Sequence, residues 1–419
     1  MKDSGISWVG EIPKEWTIMP LYCLYSERKN RNIFGTENNL LSLSYGKVIR
    51  KDINTSDGLL PSNYNGYNII ETGDIIIRPT DLQNDKRSLR TGLSKERGII
   101  TSAYIALKPK NGINSRFYHY LLHTYDILKV FYNMGNGVRQ GLSYDEFAKL
   151  MVYSPSDTEQ QRIAEFLDRE CGKIDGLKAD IQAQIDTLEQ HKRSVITEAV
   201  THGLNPSAPM KDSKVWYGQI PFEWYELKGK YVFKQRNDRG NNVCLQLLSP
   251  TQKYGVIPQD KYEELTGMNA VKLNDSTNYA LLKTIHKGDY CISLRSFQGG
   301  FEYSEYEGVV SPAYQVFYPI ITIADGYYKY LFKEKGFIDV MNSYTMSLRD
   351  GKNIAFDDFG DTFIPVPPLD EQQEIADYLD NKCAEIEQII ADKKTQIETL
   401  DGYKKSLIYE YVTGKKEVV

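Results

Sequence analysis

Two segments of the chain carry apolar residues at seven-residue intervals, with charged residues between them. Sustained heptads of this kind predict long helices with a coiled-coil seam. We place the helices at about 157–201 and from 369 to about 412, and we expect them to pair antiparallel. Lys393 interrupts the second register, and Ile163, Leu177 and Ile185 fill the stripe beside the first. The predicted seam residues are Leu167, Ile174, Ile181, Leu188, Val195, Leu379, Ile386, Leu400 and Leu407.

The segments that precede the two helices show shorter patterns. Leu40–Tyr45, Tyr67–Arg78 and Ile99–Leu107 are rich in residues that favour strands, and Gly73-Asp74 predicts a turn within the second of them. Arg116–Tyr132 is long, aromatic and free of Pro and Gly, which favours a helix. A short helix at Tyr144–Leu150 and a strand at Met151–Tyr153 complete a mixed α/β segment.

The chain repeats itself at an interval of about 210 residues. WVGEIPKEW at Trp8–Trp16 returns as WYGQIPFEW at Trp216–Trp224, and DTEQQRIAEFLD at 157–168 returns as DEQQEIADYLD at 370–380. A fixed-interval repeat is the signature of duplicated architecture. We therefore predict an α+β protein with pseudo-two-fold symmetry, divided into mixed α/β domains at 1–155 and 210–368 and helical segments at 156–209 and 369–419.

Charge is distributed unevenly among these segments. The whole chain carries −5, but 1–155 carries +5, whereas 156–209 and 369–419 carry −4 and −5. A basic first domain suits nucleic acid, and acidic helices are poor surfaces for DNA. We expect the outer faces of the helices to bind protein.

Motifs of catalysis and metal binding are missing from the sequence. It contains no GxxxxGK[ST], no HExxH and no Asn/Asp-Pro-Pro-Tyr/Phe motif. Five scattered cysteines form no CxxC pair, which argues against a zinc site or a disulfide framework. No apolar run is long enough to span a membrane, so we expect a cytoplasmic, non-catalytic protein without a metal of its own.

The twofold array of Trp-x-Gly-x-Ile-Pro-x-x-Trp, a divergent domain, and Pro-x-x-x-Glu-Gln-x-x-Ile-Ala resembles the specificity subunits of Type I restriction–modification systems. The resemblance covers residues 1–419. It implies two target recognition domains, each of which reads half of a split, asymmetric sequence in double-stranded DNA. It also implies that the helices dock two methyltransferase (M) subunits and that restriction (R) subunits join the complex. S-adenosylmethionine, ATP and Mg²⁺ would then serve those partners, with no cofactor on this chain.

Basic and amide side chains in turns are the candidate DNA contacts, because cations bind phosphates and Arg or Gln can read base edges. Arg139 and Arg349 stand out, since each lies shortly before a glycine at matching places in the two halves. In the first half the candidates are Arg28, Lys29, Arg31, Lys47, Arg50, Lys51, Lys86, Arg87, Arg90, Arg139 and Gln140. In the second half they are Lys234, Arg236, Arg239, Lys253, Tyr254, Arg295, Gln298 and Arg349.

Three other interpretations remain open at this level. The chain could serve a simpler restriction–modification system that lacks a translocating motor. It could be a coiled-coil scaffold whose divergent domains bind proteins. It could also be a stand-alone nuclease or methylase. The four tryptophans are expected to anchor the Ile-Pro turn of each domain against a helix end rather than to stack on bases.

Overall fold

The computed structural model describes residues 1–54, 63–80, 82, 89–132, 134, 141–214, 218–240, 245–268, 279–293, 300–344 and 354–418. The chain divides into two compact units. The first comprises Met1–Ile181 together with Lys394–Val419, and the second comprises Gln182–Lys393. Each unit thus contains part of both long helices, whereas the sequence suggested separate helical segments. The four-segment division at 155, 209 and 368 stays a prediction.

The first unit is built on a four-stranded antiparallel sheet in the order Tyr25–Glu27, Ile105–Pro109, Ile75–Ile77 and Thr91–Leu93. Four antiparallel strand pairs surround it: Lys2–Asp3 with Glu11–Ile12, Thr17–Pro20 with Met151–Ser154, Leu41–Ser44 with Lys47–Arg50, and Asn68–Ile70 with Gly98–Ile100. Its shorter helices are Leu21–Cys23 (a 3₁₀ turn), Ser115–Ile127 and Tyr144–Phe147.

The second unit repeats this plan strand for strand. Its four-stranded antiparallel sheet runs Phe233–Arg236, Gln315–Pro319, Tyr290–Ile292 and Phe301–Tyr303. The four pairs are Met210–Asp212 with Gln219–Pro221, Tyr225–Lys228 with Phe363–Val366, Leu248–Thr251 with Gly255–Pro258, and Lys283–Ile285 with Gly308–Val310. Its shorter helices are Gly229–Val232, Gln259–Thr266, Tyr279–Leu281 (3₁₀), Asp325–Leu331, Lys335–Ser343 and Phe356–Asp361. The predicted internal repeat is confirmed at the level of strand order.

Two long helices follow the mixed segments, as the heptads predicted. The central helix spans Asp157–His202 and the C-terminal helix spans Leu369–Val412. Gly172 and Gly176 lie inside the central helix without breaking it. Asp157 is its first residue, and the backbone N–H of Glu159 donates to Oγ of Ser156 at 3.3 Å, so Ser156 caps the helix.

Within each unit the two helices run antiparallel and share a core. In the first unit Leu167 and Ile174 join Leu407 in one buried cluster, and Lys404 donates to Asp175 at 2.6 Å. In the second unit Ala199 joins Leu379, and Lys192 pairs with Glu387. The buried stripes supply the hydrophobic stabilisation that holds each helix to its sheet domain.

The seam residues are buried to different extents. Leu167, Ile174, Leu379, Ile386 and Leu407 are buried. Ile181, Leu188, Val195 and Leu400 are half-buried. The inclusion of Leu177 in the apolar stripe is wrong, since its side chain is exposed.

Two element boundaries differ from the sequence prediction for local reasons. The predicted strand Ile99–Leu107 is two strands of different sheets, separated by a turn in which the N–H of Tyr104 donates to the carbonyl of Thr101 at 3.1 Å. The predicted helix Arg116–Tyr132 ends at Ile127, because the backbone turns and Lys129 adopts a left-handed φ of 58°. In the part of the chain that the structure describes, no helix is long and apolar enough to cross a membrane.

Candidate nucleic-acid interface

An arginine and a buried aspartate form the same ion pair in both units. Arg28 is paired with Asp74, and its Nη2 donates to Oδ1 at 3.0 Å. In the second unit Arg236 binds Asp289 through two bonds, Nε to Oδ2 at 2.7 Å and Nη2 to Oδ1 at 3.0 Å. Burial raises the pKa of Asp74, and the hydrogen bond from Arg28 opposes that rise.

This pair joins two parts of the sheet domain. Each aspartate follows a glycine with positive φ, Gly73 at 90° and Gly288 at 93°, and precedes a central strand. The aspartate also accepts a backbone N–H bond, from Glu71 at 2.8 Å or from His286 at 2.9 Å. Arg28 and Arg236 were predicted as DNA contacts; the structure gives each a position in the scaffold, and DNA contact by either stays a prediction.

Exposed cations lie next to this scaffold in the first unit. Lys29 and Arg31 are exposed on the segment that follows the ion-paired arginine, and Lys29 also pairs with Glu27 at 2.7 Å. Lys47, Arg50 and Lys51 are exposed on and after the hairpin Leu41–Arg50.

A turn at Glu96-Arg97 connects the two groups of cations. Glu96 accepts from Nε of Arg50 at 2.6 Å, and Arg97 pairs with Glu37 at 2.9 Å. The backbone carbonyl of Glu37 in turn accepts from Nδ2 of Asn32, the residue after Arg31, and the backbone N–H of Glu37 donates to Oδ1 of Asn32. The structure therefore brings Arg31 and Arg50, which are nineteen residues apart in the sequence, to one side of the first unit.

The hairpin Leu41–Arg50 ends in a two-residue turn that sequence reasoning did not single out. Tyr45 and Gly46 both have positive φ, 45° and 79°, as the twist of a two-residue hairpin requires. Tyr45 is 86% exposed at the tip. The signal in the sequence was the Tyr-Gly pair between two strand-like runs.

Arg90 occupies a different environment from the one expected of a basic loop. Its side chain is buried, Nη1 donates to the carbonyl of Thr80, and the guanidinium lies 5.5 Å from the ring centroid of Tyr132. The backbone N–H of Arg90 also bonds the buried Asp126. An arginine held in this way would have to leave its site to reach DNA.

Three of the five second-unit candidates that the structure describes are exposed. Lys234 projects from a strand of the central sheet, and Arg239 donates to the carbonyl of Leu281 at 2.7 Å. Lys253 is exposed at the hairpin tip with its Nζ 4.8 Å from the ring centroid of the half-buried Tyr254. Seven candidates lie outside the residues that the structure describes and stay predictions: Lys86, Arg87, Arg139, Gln140, Arg295, Gln298 and Arg349.

The repeated tryptophans pack as expected where they are described. Trp16 and Trp224 are buried, and their indole N–H groups donate to Glu159 at 3.0 Å and Glu371 at 2.7 Å. Trp8 is half-buried against Tyr125, with ring centroids 4.5 Å apart, and Trp216 lies outside the described residues. The sequence did not identify the glutamate partners, although both belong to the repeated Glu-Gln motif.

Among the residues that the structure describes, no group of three or more His, Cys, Asp or Glu side chains is arranged to hold a metal ion. The two units carry two copies of one α/β frame. Each copy carries exposed cations beside a buried arginine–aspartate pair.

Comparison with known proteins identifies the family. The family model described as "Type I restriction modification DNA specificity domain" matches residues 45–187 and 224–399. The putative type I restriction enzyme MjaX specificity subunit of Methanocaldococcus jannaschii is 21% identical, and the match covers 98% of this chain and 96% of that protein.

The chain also matches solved structures. One comes from work on complex assembly and conformational transition of the type I R-M system, with a TM-score of 0.66, 13% identity, and coverage of 97% of this chain and 100% of that chain. The crystal structure of the HsdS subunit from Thermoanaerobacter tengcongensis has a TM-score of 0.49, 14% identity, and coverage of 97% and 98%.

Proposed function

This chain belongs to the family of Type I restriction–modification DNA specificity domains, and from that premise we propose that its two units read the two halves of a bipartite, asymmetric DNA target. As a specificity subunit it selects the DNA sequence for its system. The proposal adds that each unit acts as a separate reader and that neither performs chemistry. It also places the chain in the cytoplasm.

One observation carries the two-reader proposal. The strand order, the tryptophan–glutamate bond and the arginine–aspartate pair occur in both units, yet the exposed cations of one hairpin strand have no counterpart on the equivalent strand. The hairpin strand that carries Lys47 and Arg50 in the first unit carries Gly255 and Pro258 in the second. Because base edges are distinguished by side-chain donors and acceptors, one frame with different surfaces suits two different half-sites.

The helices have a separate role in the proposal. The antiparallel pairs within each unit support an antiparallel coiled coil along the whole length of the central and C-terminal helices. Its acidic outer faces would dock two methyltransferase subunits, and restriction subunits would complete the complex. S-adenosylmethionine would serve methyl transfer on those partners, and ATP with Mg²⁺ would serve the restriction subunits. Flipping of the target base would also belong to the methyltransferase.

Methylome sequencing tests the function. The chain is co-expressed with its methyltransferase subunits in a host without adenine methylation, and methylated adenines are mapped. We expect a single split motif with a fixed gap. An undivided motif would contradict the two-reader proposal, and complete absence of a motif in cells with assembled complex would contradict DNA recognition.

A substitution separates the two readers. Arg139→Ala should relax the motif at one half-site and leave the other unchanged, because the two units read independently. Arg349→Ala, at the matching position of the repeat, serves as the paired variant and should relax the other half-site. Equal loss at both half-sites from either change would contradict the assignment.

A further inference from the structure

The first unit presents two apolar side chains on a tight turn at its surface. The backbone N–H of Gly35 donates to the carbonyl of Asn32 at 2.9 Å and closes a four-residue turn. Ile33 and Phe34 occupy its two corners, 64% and 89% exposed. Phe34 therefore gains almost none of the stabilisation that burial of a Phe side chain provides.

The turn is held by a buried side chain. Asn32 is 2% exposed, its Nδ2 donates to the carbonyl of Glu37 at 2.9 Å, and its Oδ1 accepts from the N–H of Glu37 at 3.1 Å. Its own backbone N–H donates to the carbonyl of Tyr67 at 2.9 Å. Arg97 fixes the far side through ion pairs with Glu37 and Glu71. The turn therefore presents Ile33 and Phe34 from a rigid base.

The charge beside the turn favours a polyanion as its partner. Lys29 and Arg31 are exposed immediately before the turn. Two corner residues are far too few for a protein interface, which buries about 800 Å² on each partner. Single apolar side chains of this size do enter between stacked base pairs, where they kink the duplex.

We propose that Phe34, supported by Ile33, is a wedge that inserts at one base step of the half-site read by the first unit. The inference rests on the proposed function and adds a deformation of the DNA to it. Lys29 and Arg31 would hold the phosphates on either side of the opened step. The cost of unstacking then depends on the sequence of that step, so the wedge contributes specificity without a base-edge hydrogen bond.

At the matching described position of the second unit, a glycine replaces the anchoring asparagine. Gly240 stands where Asn32 stands, since its N–H donates to the carbonyl of Leu282 at 3.0 Å, as that of Asn32 does to Tyr67. Glycine has no side chain with which to hold a turn. The unstacked step should therefore occur in one half-site only.

Fluorescence of 2-aminopurine detects the unstacked step. Once the motif is mapped, the chain with its methyltransferase subunits is bound to duplexes in which 2-aminopurine replaces each base of both half-sites in turn, other than the methylated adenine. We expect a several-fold rise in fluorescence at one step of one half-site. Phe34→Ala should abolish it, and Phe34→Trp should keep it. Tyr225→Ala removes an aromatic side chain that is 72% exposed on a strand of the second unit, outside the long helices, and should leave the rise intact.

Several outcomes would overturn the wedge while leaving the proposed function standing. Specific binding without a rise at any step would exclude unstacking. If the rise survives Phe34→Ala, or if Tyr45→Ala removes it instead, a residue other than Phe34 causes the unstacking. Loss of subunit assembly by Phe34→Ala would make the turn a protein contact. Failure of the unmodified complex to select any motif would instead reject the proposed function itself.

Discussion

Trp16 donates its indole N–H to Oε2 of Glu159 at 3.0 Å, which ties the start of the chain to the first turn of the central helix. Trp224 makes the same bond to Glu371 at 2.7 Å in the second unit. Both indoles are buried, so the glutamate satisfies a donor that water cannot reach. The repeated motifs at the two ends of each domain are therefore physically joined.

Removal of this acceptor should destabilise the first unit. Glu159→Ala leaves the indole N–H of Trp16 buried and unpaired, which costs about 1–3 kcal/mol of the unfolding free energy. Glu159→Gln keeps an oxygen acceptor and should lose less. Denaturant unfolding followed by tryptophan fluorescence measures the change. Glu165→Ala, on the exposed face of the same helix, is the control, and an equal loss there would contradict the role of the bond.

The contribution of the arginine–aspartate pair to stability can be tested by removing, one at a time, the two aspartates that bind Arg236. Arg236 pairs with the buried Asp289 at 2.7 Å and with the exposed Asp238 at 3.2 Å. Asp289→Ala leaves the largely buried guanidinium of Arg236 without its buried partner and should cost about 3–5 kcal/mol of unfolding free energy. Asp238→Ala should cost less than about 1 kcal/mol. Thermal or urea unfolding compares the two, and similar losses would show that Arg236 is not held by its buried partner.

Substitution of glycines by alanine distinguishes the energetic cost of backbone strain from that of a steric clash. Gly203 ends the central helix with φ of 76°, and a Cβ there would lie 2.7 Å from Oε1 of Glu371. Gly218 has nearly the same φ, 75°, with open space around it. Gly218→Ala should cost only the left-handed strain, about 1–2 kcal/mol, and Gly203→Ala should cost more. Gly176→Ala, in the helix with open space around it, should stabilise by roughly 0.5–1 kcal/mol. Equal effects at Gly203 and Gly218 would exclude a packing role.

Two histidines make the stability of the first unit depend on pH. Burial lowers the pKa of His119 to about 3 and that of His123 to about 4, with further lowering at His123 by Lys404 and Lys405. Nε2 of His119 and Nδ1 of His123 are buried without a hydrogen-bond partner in the described structure.

The unfolded chain binds protons at these histidines near pH 6.5, before the folded chain does. Stability is therefore greatest above pH 6.5 and falls as the pH drops toward 4, by up to about 1.4 kcal/mol per pH unit for each group. The double change His119→Gln and His123→Gln should flatten this dependence in urea titrations between pH 7.5 and 4.5. His191→Gln, on an exposed face of the central helix, is the control. An unchanged slope in the double variant would contradict burial of the neutral imidazoles.

Long-range periodicity predicted more of this fold than local pattern did. The heptads placed both long helices within about a residue, because a buried stripe repeated over many turns has one structural solution. The predicted strand Ile99–Leu107 failed because apolar residues continue through the turn at Thr101–Tyr104, where the chain passes from one sheet to another.

The candidate site was harder to predict, because the charge of a side chain in the sequence does not show whether that side chain is buried in the fold. Arg28 and Arg90 look like surface cations in sequence. Arg28, however, pairs with Asp74, 46 residues away, and the buried guanidinium of Arg90 donates to the carbonyl of Thr80 and lies over the ring of Tyr132. Phe34 is the opposite case: an apolar residue is expected to lie in the core, so the sequence did not mark it as a surface residue. Its exposure follows from the turn that Asn32 and Gly35 close, which is a tertiary property.

The division of the long helices between the units sets an order of events during synthesis. Leu407, Ile408 and Val412 belong to the core of the first unit, although they lie near the end of the chain. Residues 182–393, which form the second unit, are all synthesised before those residues. The amino-terminal domain must therefore wait, with part of its core open to solvent, until the last helix emerges. A chaperone that binds nascent chains would find its longest-lived apolar surface on the domain that was made first.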